Sequence, residues 1–330
     1  MITNIADPSH IGEARRSAAE IARKAGGNEA QLGRIALVAT EMATNVVKHA
    51  AGAGGSLVID RFGDAAGSGV ELVAIDKGPG MADVRACLTD GYSTAGSAGT
   101  GLGAIARQAD VFGVYSRPGL GTAVLARFIF AASAENAAGT DIGFVSAIYP
   151  GETVCGDQWA YSAGSRGKTL LVVDGSGHGP QAARAAEIAA KIFTDHPSEE
   201  CVPLVERMHR ALASTRGAAL AVARIDAGAR VIRFVGVGNI TGSLVNGLEA
   251  RQMVSHNGTA GHIAPRIREF NYPFDDTPCV IMHSDGLSNR WRIADYPGLT
   301  VCHPSLIAAI LFRDYRRERD DATVAVMRPR

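Results

Sequence analysis

The 330-residue sequence has no excess charge of either sign, no paired cysteines and no long apolar run. Lysine plus arginine and aspartate plus glutamate each total 33, so the charge balance gives no indication of a nucleic-acid or anionic-membrane partner. The 5 cysteines form no Cys-x-x-Cys pair, and their odd number favours a reducing compartment. We therefore expect a cytoplasmic protein that does not bind nucleic acid.

The sequence also lacks a segment that predicts membrane insertion or secretion. The longest apolar stretches, near Ile129 and Ile310, are far shorter than the ~20 residues that a spanning helix needs. Residues 1–10 have neither the basic start nor the apolar core of a signal peptide. We expect no membrane association.

Two common nucleotide-binding motifs are missing as well. The glycine-rich stretch at residues 99–103 opens a predicted helix at residues 104–109, and glycine-rich helix starts are suited to binding phosphate. The stretch lacks the Gly-Lys-Ser/Thr of a P-loop, and no strand directly precedes it as in a dinucleotide fingerprint. The stretch therefore indicates a phosphate site that is neither a P-loop nor a dinucleotide fingerprint.

The length of the chain favours two domains. Residues 131–140 are small and weakly patterned, which is typical of a boundary. We predict a first domain at residues 1–133, a linker at residues 134–140 and a second domain at residues 141–330.

Three short motifs follow one another in the first domain. Glu41 and Asn45 lie four residues apart on one face of a predicted helix, and an isolated pair of this kind would indicate only a solvated face. A predicted strand then ends in a turn that contains Asp76, Gly78 and Gly80, which alone is weak evidence because many turns have this composition. The glycine stretch described above is the third motif. Their order and separation carry more information than any one of them.

Together these motifs resemble the GHKL ATP-binding fold, which is shared by histidine kinases, Hsp90, gyrase B and the anti-sigma-factor serine kinases. The resemblance covers nearly all of residues 1–133. The run Glu41-Met42-Ala43-Thr44-Asn45 is most similar to the serine kinases of bacterial partner-switching systems.

The resemblance implies ATP and Mg²⁺ as cofactors of the first domain. Asn45 would supply an oxygen ligand to Mg²⁺. Glu41 would act as the base toward an attacking hydroxyl, the alternative being that it only positions a water molecule. The nucleotide contacts implied are Asp76 and Thr122 for the adenine, Gly78 and Gly80 in the turn, and Gly99, Gly101 and Gly103 for the phosphates.

Acidic residues stand at the ends of predicted strands in the second domain. The strand at residues 170–173 ends on Asp174 and turns on glycines into a predicted helix. Asp157, Asp285 and Asp320 occupy similar positions. Unpaired carboxylates repel one another and resist burial, so a cation between them is required if they converge.

Five motifs in the second domain, taken in order, resemble the metal-dependent PP2C phosphatases, in the bacterial branch that includes SpoIIE and the stress-response phosphatases. They are Gly156-Asp157, Asp174-Gly175-x-Gly177-His178-Gly179, Gly236-Val237-Gly238-Asn239, Ser284-Asp285-Gly286 and Asp320-Asp321-x-Thr323. The resemblance implies two Mn²⁺ or Mg²⁺ ions, held by Asp157, Asp174, the Gly175 carbonyl, Asp285 and Asp320. An all-oxygen ligand set suits these hard cations, whereas zinc would favour cysteine or histidine.

Other residues near these motifs have two interpretations. His178 either donates a proton to the leaving seryl oxygen or stabilises its turn, and its offset from Asp174 differs from the eukaryotic enzymes, which favours the turn. Asp321 is expected to support the site rather than bind metal. Arg166 either meets phosphate or is solvated. No residue matches the phosphate-binding arginine of animal PP2C enzymes, so we expect the metals alone to hold the substrate phosphate.

The predicted fold is α+β with two domains, a GHKL (Bergerat) α/β sandwich followed by a PP2C-like β-sandwich flanked by helices. The predicted function is a bifunctional regulator, in which an ATP-dependent protein-serine kinase is joined to a Mn²⁺- or Mg²⁺-dependent phosphoserine phosphatase. The resemblance implies a STAS-type anti-sigma-factor antagonist or a related partner-switching protein as the partner, and a homo-oligomer is possible. Two alternatives are a phosphatase whose first domain senses ATP without kinase activity, and a non-catalytic module that sequesters a sigma factor.

Overall fold

A computed structural model describes residues 1–50, 52–64, 67–88, 101–132, 142–164, 167–264, 266–274 and 277–328. The chain divides into two compact units, Met1–Thr140 and Asp141–Arg330. The predicted linker at residues 134–140 lies outside the described residues, so its bounds stay a prediction. No helix in the described part of the chain is both long enough and apolar enough to span a membrane.

The first unit is a five-stranded antiparallel sheet with helices packed on one face. The strands have the order β1-β2-β3-β5-β4. Their bounds are β1 Ile2–Ile5, β2 Gly55–Asp64, β3 Gly67–Asp76, β4 Val111–Ser116 and β5 Thr122–Ala132. The helices are α1 Ser9–Lys24, α2 Glu29–His49, α3 Val84–Cys87 and α4 Gly101–Gln108.

Helix α2 carries the first predicted motif, and local sequence explains where it begins. The Asn28 side chain accepts a hydrogen bond from Gln31 N at 3.0 Å, and the Gln31 side chain accepts one from Asn28 N at 2.8 Å. This capping box satisfies two backbone donors at the start of the helix. Ile35 and Met42 are buried in the core against the sheet. Glu41, on another face of α2, is only half-buried.

The second unit contains two five-stranded antiparallel sheets. The first sheet has the order β13-β10-β9-β8-β7 and the second has the order β12-β11-β14-β15-β6. The strands are β6 Ile142–Ala147, β7 Asp157–Gly164, β8 Gly167–Gly175, β9 Ala218–Asp226, β10 Val231–Val237, β11 Thr241–Asn246, β12 Glu249–Met253, β13 Phe270–Pro273, β14 Cys279–His283 and β15 Ala322–Met327. The helices are α5 Pro180–Asp195, α6 Cys201–Ala211 and α7 Pro304–Tyr315.

Strand alternation makes this unit a sandwich with helices outside. Successive side chains of a strand point to opposite faces. On β6, Phe144 contacts Trp159 of β7 with ring centroids 3.9 Å apart, which packs one sheet on the other. Its neighbour Gly143 faces Ser305 of α7. Residues of β8 on the face away from β6, such as Val173, pack with α5 and α6.

Gly143 allows α7 to approach β6 closely, which yields a test of the packing. A Cβ at position 143 would lie 2.0 Å from the Ser305 backbone nitrogen. We expect Gly143→Ala to destabilise the second unit by about 1–3 kcal/mol, because the helix must shift outward. A Cβ at Gly164 would meet no atom within 4 Å, so Gly164→Ala is the matched control. Equal unfolding free energies for the two variants in denaturant would contradict this packing.

Candidate active sites

The first predicted motif and part of the third meet in the first unit. Glu41 and Asn45 project from α2 toward the start of α4. A Cβ at Gly101 would lie 3.2 Å from Glu41 Oε2 and 3.2 Å from Asn45 Oδ1. A larger residue would therefore press on both side chains. The backbone at the start of α4 lies beside one carboxylate and one amide oxygen.

The second motif lies where β3 ends. Asp76 is the register partner of Thr122 across β3 and β5, so the two predicted adenine contacts are neighbours. Asp76 Oδ1 accepts a hydrogen bond from Gly78 N at 2.8 Å. A Cβ at Gly78 would lie 2.7 Å from the carbonyl oxygen of His49, at the end of α2. Glycine at position 78 thus lets the turn pack against the helix that carries Glu41.

Ser116 organises this edge of the site, although the sequence analysis did not single it out. It is the register partner of Thr122 across β4 and β5, and their hydroxyl oxygens are 2.9 Å apart. Its Oγ also accepts a hydrogen bond from Met81 N at 2.8 Å and donates one to Gly121 O at 3.1 Å. Ser116 therefore fixes the position of the Thr122 hydroxyl.

The remaining glycines of the first unit have different placements. Gly80 has a φ of 73°, and a Cβ there would lie 2.0 Å from the Arg117 carbonyl oxygen, so its turn requires glycine. Gly103 is buried within α4. Gly99 lies outside the described residues. The phosphate contacts of Gly99 and Gly103 stay predictions.

Acidic side chains converge at one edge of the sandwich in the second unit. Asp157 and Asp174 are register partners on the neighbouring strands β7 and β8. Burial, with the charges of Asp157, Asp285, Asp320 and Asp321, raises the pKa of Asp174 to about 9. Asp174, Asp285 and Asp320 line one cavity, and Asp157 pairs with Asp174, so the structure brings the predicted carboxylates to one edge.

Asp157 has one oxygen satisfied and one unsatisfied. Oδ2 accepts a hydrogen bond from Ser284 Oγ at 2.6 Å, and Ser284 Oγ accepts one from Thr323 N at 3.0 Å. Oδ1 is buried and has no hydrogen-bond partner among the described residues. Burial is the main cause that raises the pKa of Asp157 to about 7. A buried carboxylate oxygen without a hydrogen-bond partner is suited to binding a cation.

The neighbouring carboxylates differ in how many oxygens remain free. Asp321 accepts hydrogen bonds from Tyr149 N at 2.8 Å and from Gly156 N at 3.0 Å, one on each oxygen, which suits a supporting role. Asp285 Oδ2 accepts a bond from Asn239 Nδ2 at 2.7 Å. Burial, followed by the charge of Asp285, raises the pKa of Asp320.

The donor set fits hard divalent cations. In the described ranges, none of these five aspartates forms an ion pair with a lysine, arginine or histidine. No three His, Cys, Asp or Glu side chains in the same ranges are close enough to hold one ion between them. A pair of hydrated ions does not require such a group, because Mg²⁺ keeps several waters and takes one or two carboxylates. At Gly175, a Cβ would lie 2.1 Å from the Ala182 carbonyl oxygen, so the turn that would supply the carbonyl ligand requires glycine.

A cavity of about 690 Å³ opens beside these carboxylates. Its lining includes Asp174, Asp285, Asp320, His178, Tyr149 and Arg319. The His178 Nδ1 lies 2.6 Å from Glu152 Oε1, and the ring stacks on Tyr149 at 4.8 Å between centroids. Within the described residues, His178 bonds to Glu152 and not to its own turn. Arg166 lies outside the described residues.

Comparison with known proteins identifies the first unit. Residues 5–128 match the model of the histidine kinase-like ATPase domain. The serine/threonine-protein kinase RsbT of Bacillus subtilis (strain 168) is 33% identical over 116 residues, which are 35% of this chain and 86% of RsbT. The chain belongs to the histidine kinase-like ATPase family. The GHKL resemblance of the first domain is therefore confirmed.

Solved structures are similar in fold to more than half of this chain. A structure described as the bacterial stressosome, a modular system adapted to control secondary messenger signaling, is 27% identical with a TM-score of 0.52. It covers 56% of this chain and 97% of the other. RsbX in complex with magnesium is 20% identical with a TM-score of 0.51, covering 56% of this chain and 92% of RsbX, a likeness of fold alone. The predicted two-domain α+β architecture, with a GHKL-like domain first and a two-sheet sandwich flanked by helices second, is confirmed.

The raised pKa of Asp174 predicts how metal-free protein responds to pH. The ordinary pKa of this carboxyl group is 3.8, and in the fold it is about 9. Between pH 3.8 and about pH 9 the folded state therefore binds one more proton than the unfolded state. Stability of the second unit is then lost as pH rises through this window. We expect Asp174→Asn to remove much of this loss and to raise the melting temperature at pH 9, by roughly 2–4 °C for each kcal/mol gained.

Calorimetry of metal-free protein at pH 5, 7 and 9 measures this effect. Glu206→Gln, a change at an exposed carboxylate on α6, is the control and should follow the wild type. Added Mn²⁺ should raise the melting temperature of the wild type but not that of Asp174→Asn, since a ligand stabilises only a state that binds it. If Asp174→Asn melts at a lower temperature than the wild type at pH 9 without metal, the raised pKa of Asp174 is contradicted.

Proposed function

We propose that this protein is a bifunctional signalling regulator of the cytoplasm. Its first unit is an ATP-dependent protein-serine kinase, and its second is a Mn²⁺- or Mg²⁺-dependent phosphoserine phosphatase. The substrate is a STAS-type anti-sigma-factor antagonist or a related partner-switching protein. The observation that carries most weight is the convergence of unpaired carboxylates around a buried, unsatisfied Asp157 oxygen.

The kinase proposal assigns one role to each residue of the first site. Asp76 and Thr122 recognise the adenine, and Asn45 supplies an oxygen to the Mg²⁺ that accompanies ATP. The seryl oxygen of the substrate bonds to the γ-phosphorus of ATP, and ADP leaves. Glu41 accepts the proton that this seryl hydroxyl loses. The 33% identity to RsbT, a serine/threonine-protein kinase, supports this reading.

The phosphatase proposal rests on the oxygen-rich edge of the sandwich. Asp157, Asp174, Asp285, Asp320 and the carbonyl of Gly175 would hold two divalent ions. When bound, such ions supply a nucleophilic water at neutral pH and neutralise charge on the phosphoryl oxygens.

Protein side chains would complete the reaction around these ligands. Ser284 and Asn239 hold two of the carboxylates in place through their hydrogen bonds. His178, held by Glu152 and stacked on Tyr149, lines the cavity and can donate a proton to the leaving seryl oxygen.

The opposed activities impose a condition on the biology. If both sites acted continuously on one serine, the net reaction would be ATP hydrolysis with no lasting change in the substrate. The two units must therefore act on different partners, or one state of the protein must silence one site.

The kinase assignment is tested at Glu41. We expect Glu41→Gln to lower phosphate transfer from labelled ATP to purified STAS-domain proteins by about 100-fold or more, the usual contribution of a general base. ATP affinity should remain, because Glu41 is assigned no contact with the nucleotide. Glu13→Gln, at an exposed carboxylate on α1, is the control.

Two results would change the kinase assignment. No label on any STAS protein with the wild type, despite ATP binding, would favour a first unit that only senses ATP. Full transfer by Glu41→Gln would reject Glu41 as the base and leave it a residue that positions water.

The phosphatase assignment is tested by metal removal. Chelation should abolish hydrolysis of a phosphoserine peptide, and Mn²⁺ should restore it. Asp157→Asn and Asp285→Asn should each remain inactive after Mn²⁺ is added, while Glu206→Gln should recover. Turnover that survives chelation would reject the metal mechanism. Loss of turnover with unchanged regulatory output in cells would favour a non-catalytic module that sequesters a sigma factor.

A further inference from the structure

One arginine lines the cavity of the second unit together with carboxylates, and a second arginine lies beside a turn of that lining. Arg319 lines the cavity together with Asp174, Asp285 and Asp320. Arg216 does not itself line the cavity, but its guanidinium lies beside Gly177, which does. Both arginines are exposed, and neither forms a hydrogen bond, ion pair or ring contact with another described residue. The sequence analysis singled out neither of them.

Arg216 stands on a turn that the surrounding backbone holds firmly. Ser176 N donates a hydrogen bond to Gly217 O at 3.0 Å, which ties this turn to the glycine turn after β8. Gly217 N donates to Thr215 Oγ1 at 2.9 Å. Gly217 has a φ of 76°, and a Cβ there would lie 2.6 Å from Ala260 O, so this turn also requires glycine. The base of the Arg216 side chain is therefore fixed.

The end of the Arg216 side chain occupies space that a missing side chain leaves open. A Cβ at Gly177 would lie 3.2 Å from Arg216 Nη1. Gly177 lines the cavity between Ser176 and His178, and it follows Asp174 by three residues. The guanidinium thus lies over the turn that carries one of the proposed metal ligands.

Arg319 reaches the cavity from a different element. It directly precedes Asp320 in the segment that leads into β15, whereas Arg216 precedes β9. One guanidinium group therefore lines the cavity, and a second, from a separate element, lies beside the glycine turn of its lining. The aspartates of this cavity form no ion pair among the described residues. Arginine presents a planar fork of donors that matches the oxygens of a phosphoryl group.

We propose that Arg216 and Arg319 bind the phosphoryl dianion of the substrate's phosphoserine. The proposal rests on the phosphatase function proposed above and deepens it. Both guanidinium groups donate hydrogen bonds to non-bridging oxygens of the phosphoryl group, and neither forms or breaks a covalent bond. The sequence analysis found no arginine that would bind the substrate phosphate and expected the metals alone to hold it. Under this proposal, Arg216 and Arg319 hold the phosphate together with the metals.

Alanine variants at the two positions test the proposal. With a phosphoserine peptide and Mn²⁺, Arg216→Ala and Arg319→Ala should each raise KM by about 10-fold or more, as loss of charge-assisted hydrogen bonds predicts. The inhibition constant of inorganic phosphate should rise by a similar factor. Arg216→Lys and Arg319→Lys should recover only part of the loss, because lysine lacks the fork. Stabilisation by Mn²⁺ in calorimetry should equal that of the wild type, since neither arginine is a metal ligand.

Arg210→Ala is the matched control, because Arg210 is exposed on α6, does not line the cavity and, unlike Arg216, does not lie beside Gly177. It should stay within about 2-fold of the wild type in both constants. Alanine variants at 216 and 319 that also stay within this range would overturn the proposal. Wild-type constants in Arg216→Lys and Arg319→Lys would also overturn it, because positive charge alone would then explain the effect.

A second measurement separates this proposal from the phosphatase function. Line broadening in the phosphorus NMR signal of inorganic phosphate reports binding to Mg²⁺-loaded protein without turnover. Weaker binding by the two alanine variants than by the wild type supports the arginine site even if the wild type hydrolyses nothing. Equal binding overturns it even if hydrolysis is rapid.

Discussion

Crowded, buried carboxylates at one edge of the sandwich are the constraint on which the second unit depends. Burial and mutual repulsion raise the pKa of Asp157 to about 7 and that of Asp174 to about 9, so the charged form of each is disfavoured in the fold without a cation. Among the described residues, the donors that hydrogen-bond to these carboxylates are neutral. Ser284 and Asn239 each satisfy one carboxylate oxygen. Such an environment holds the acids in place and leaves their remaining charge for divalent ions.

The first unit depends on a different constraint, the close approach of the α4 backbone and of the Gly78 turn to helix α2. Glu41 and Asn45 can face the start of α4 because residue 101 has no side chain. Gly78 brings the adenine-side turn against the end of the helix that carries both. The proposed base Glu41, the proposed Mg²⁺ ligand Asn45 and the backbone at the start of α4 are therefore positioned by the lack of side chains at two glycines as much as by the side chains present. The same device recurs in the second unit, where Gly177 makes room for Arg216.

Sequence patterns predicted long, periodic elements well and edge elements poorly. Helix α2 was predictable because its apolar residues recur at helical spacing. The central strand β8 was predictable from its apolar run. The edge strand β12, Glu249–Met253, has no alternating apolar pattern and is exposed at four of its five positions, so pairing with β11 rather than its own composition makes it a strand.

The sequence by itself determined which residue types stand at each turn and strand end, because local motifs such as Asp76-x-Gly78 and Asp174-Gly175 are read from neighbours along the chain. Only the tertiary structure decided which distant residues meet. Ser116 contacts Met81 across 35 positions, and Ser284 contacts Asp157 across 127. Arg319 lines the cavity, and Arg216 lies beside Gly177 of its lining, although the two arginines are 103 positions apart. Such pairs share no local pattern, since strand pairing and backbone approach set their distance, and neither is encoded in sequence spacing.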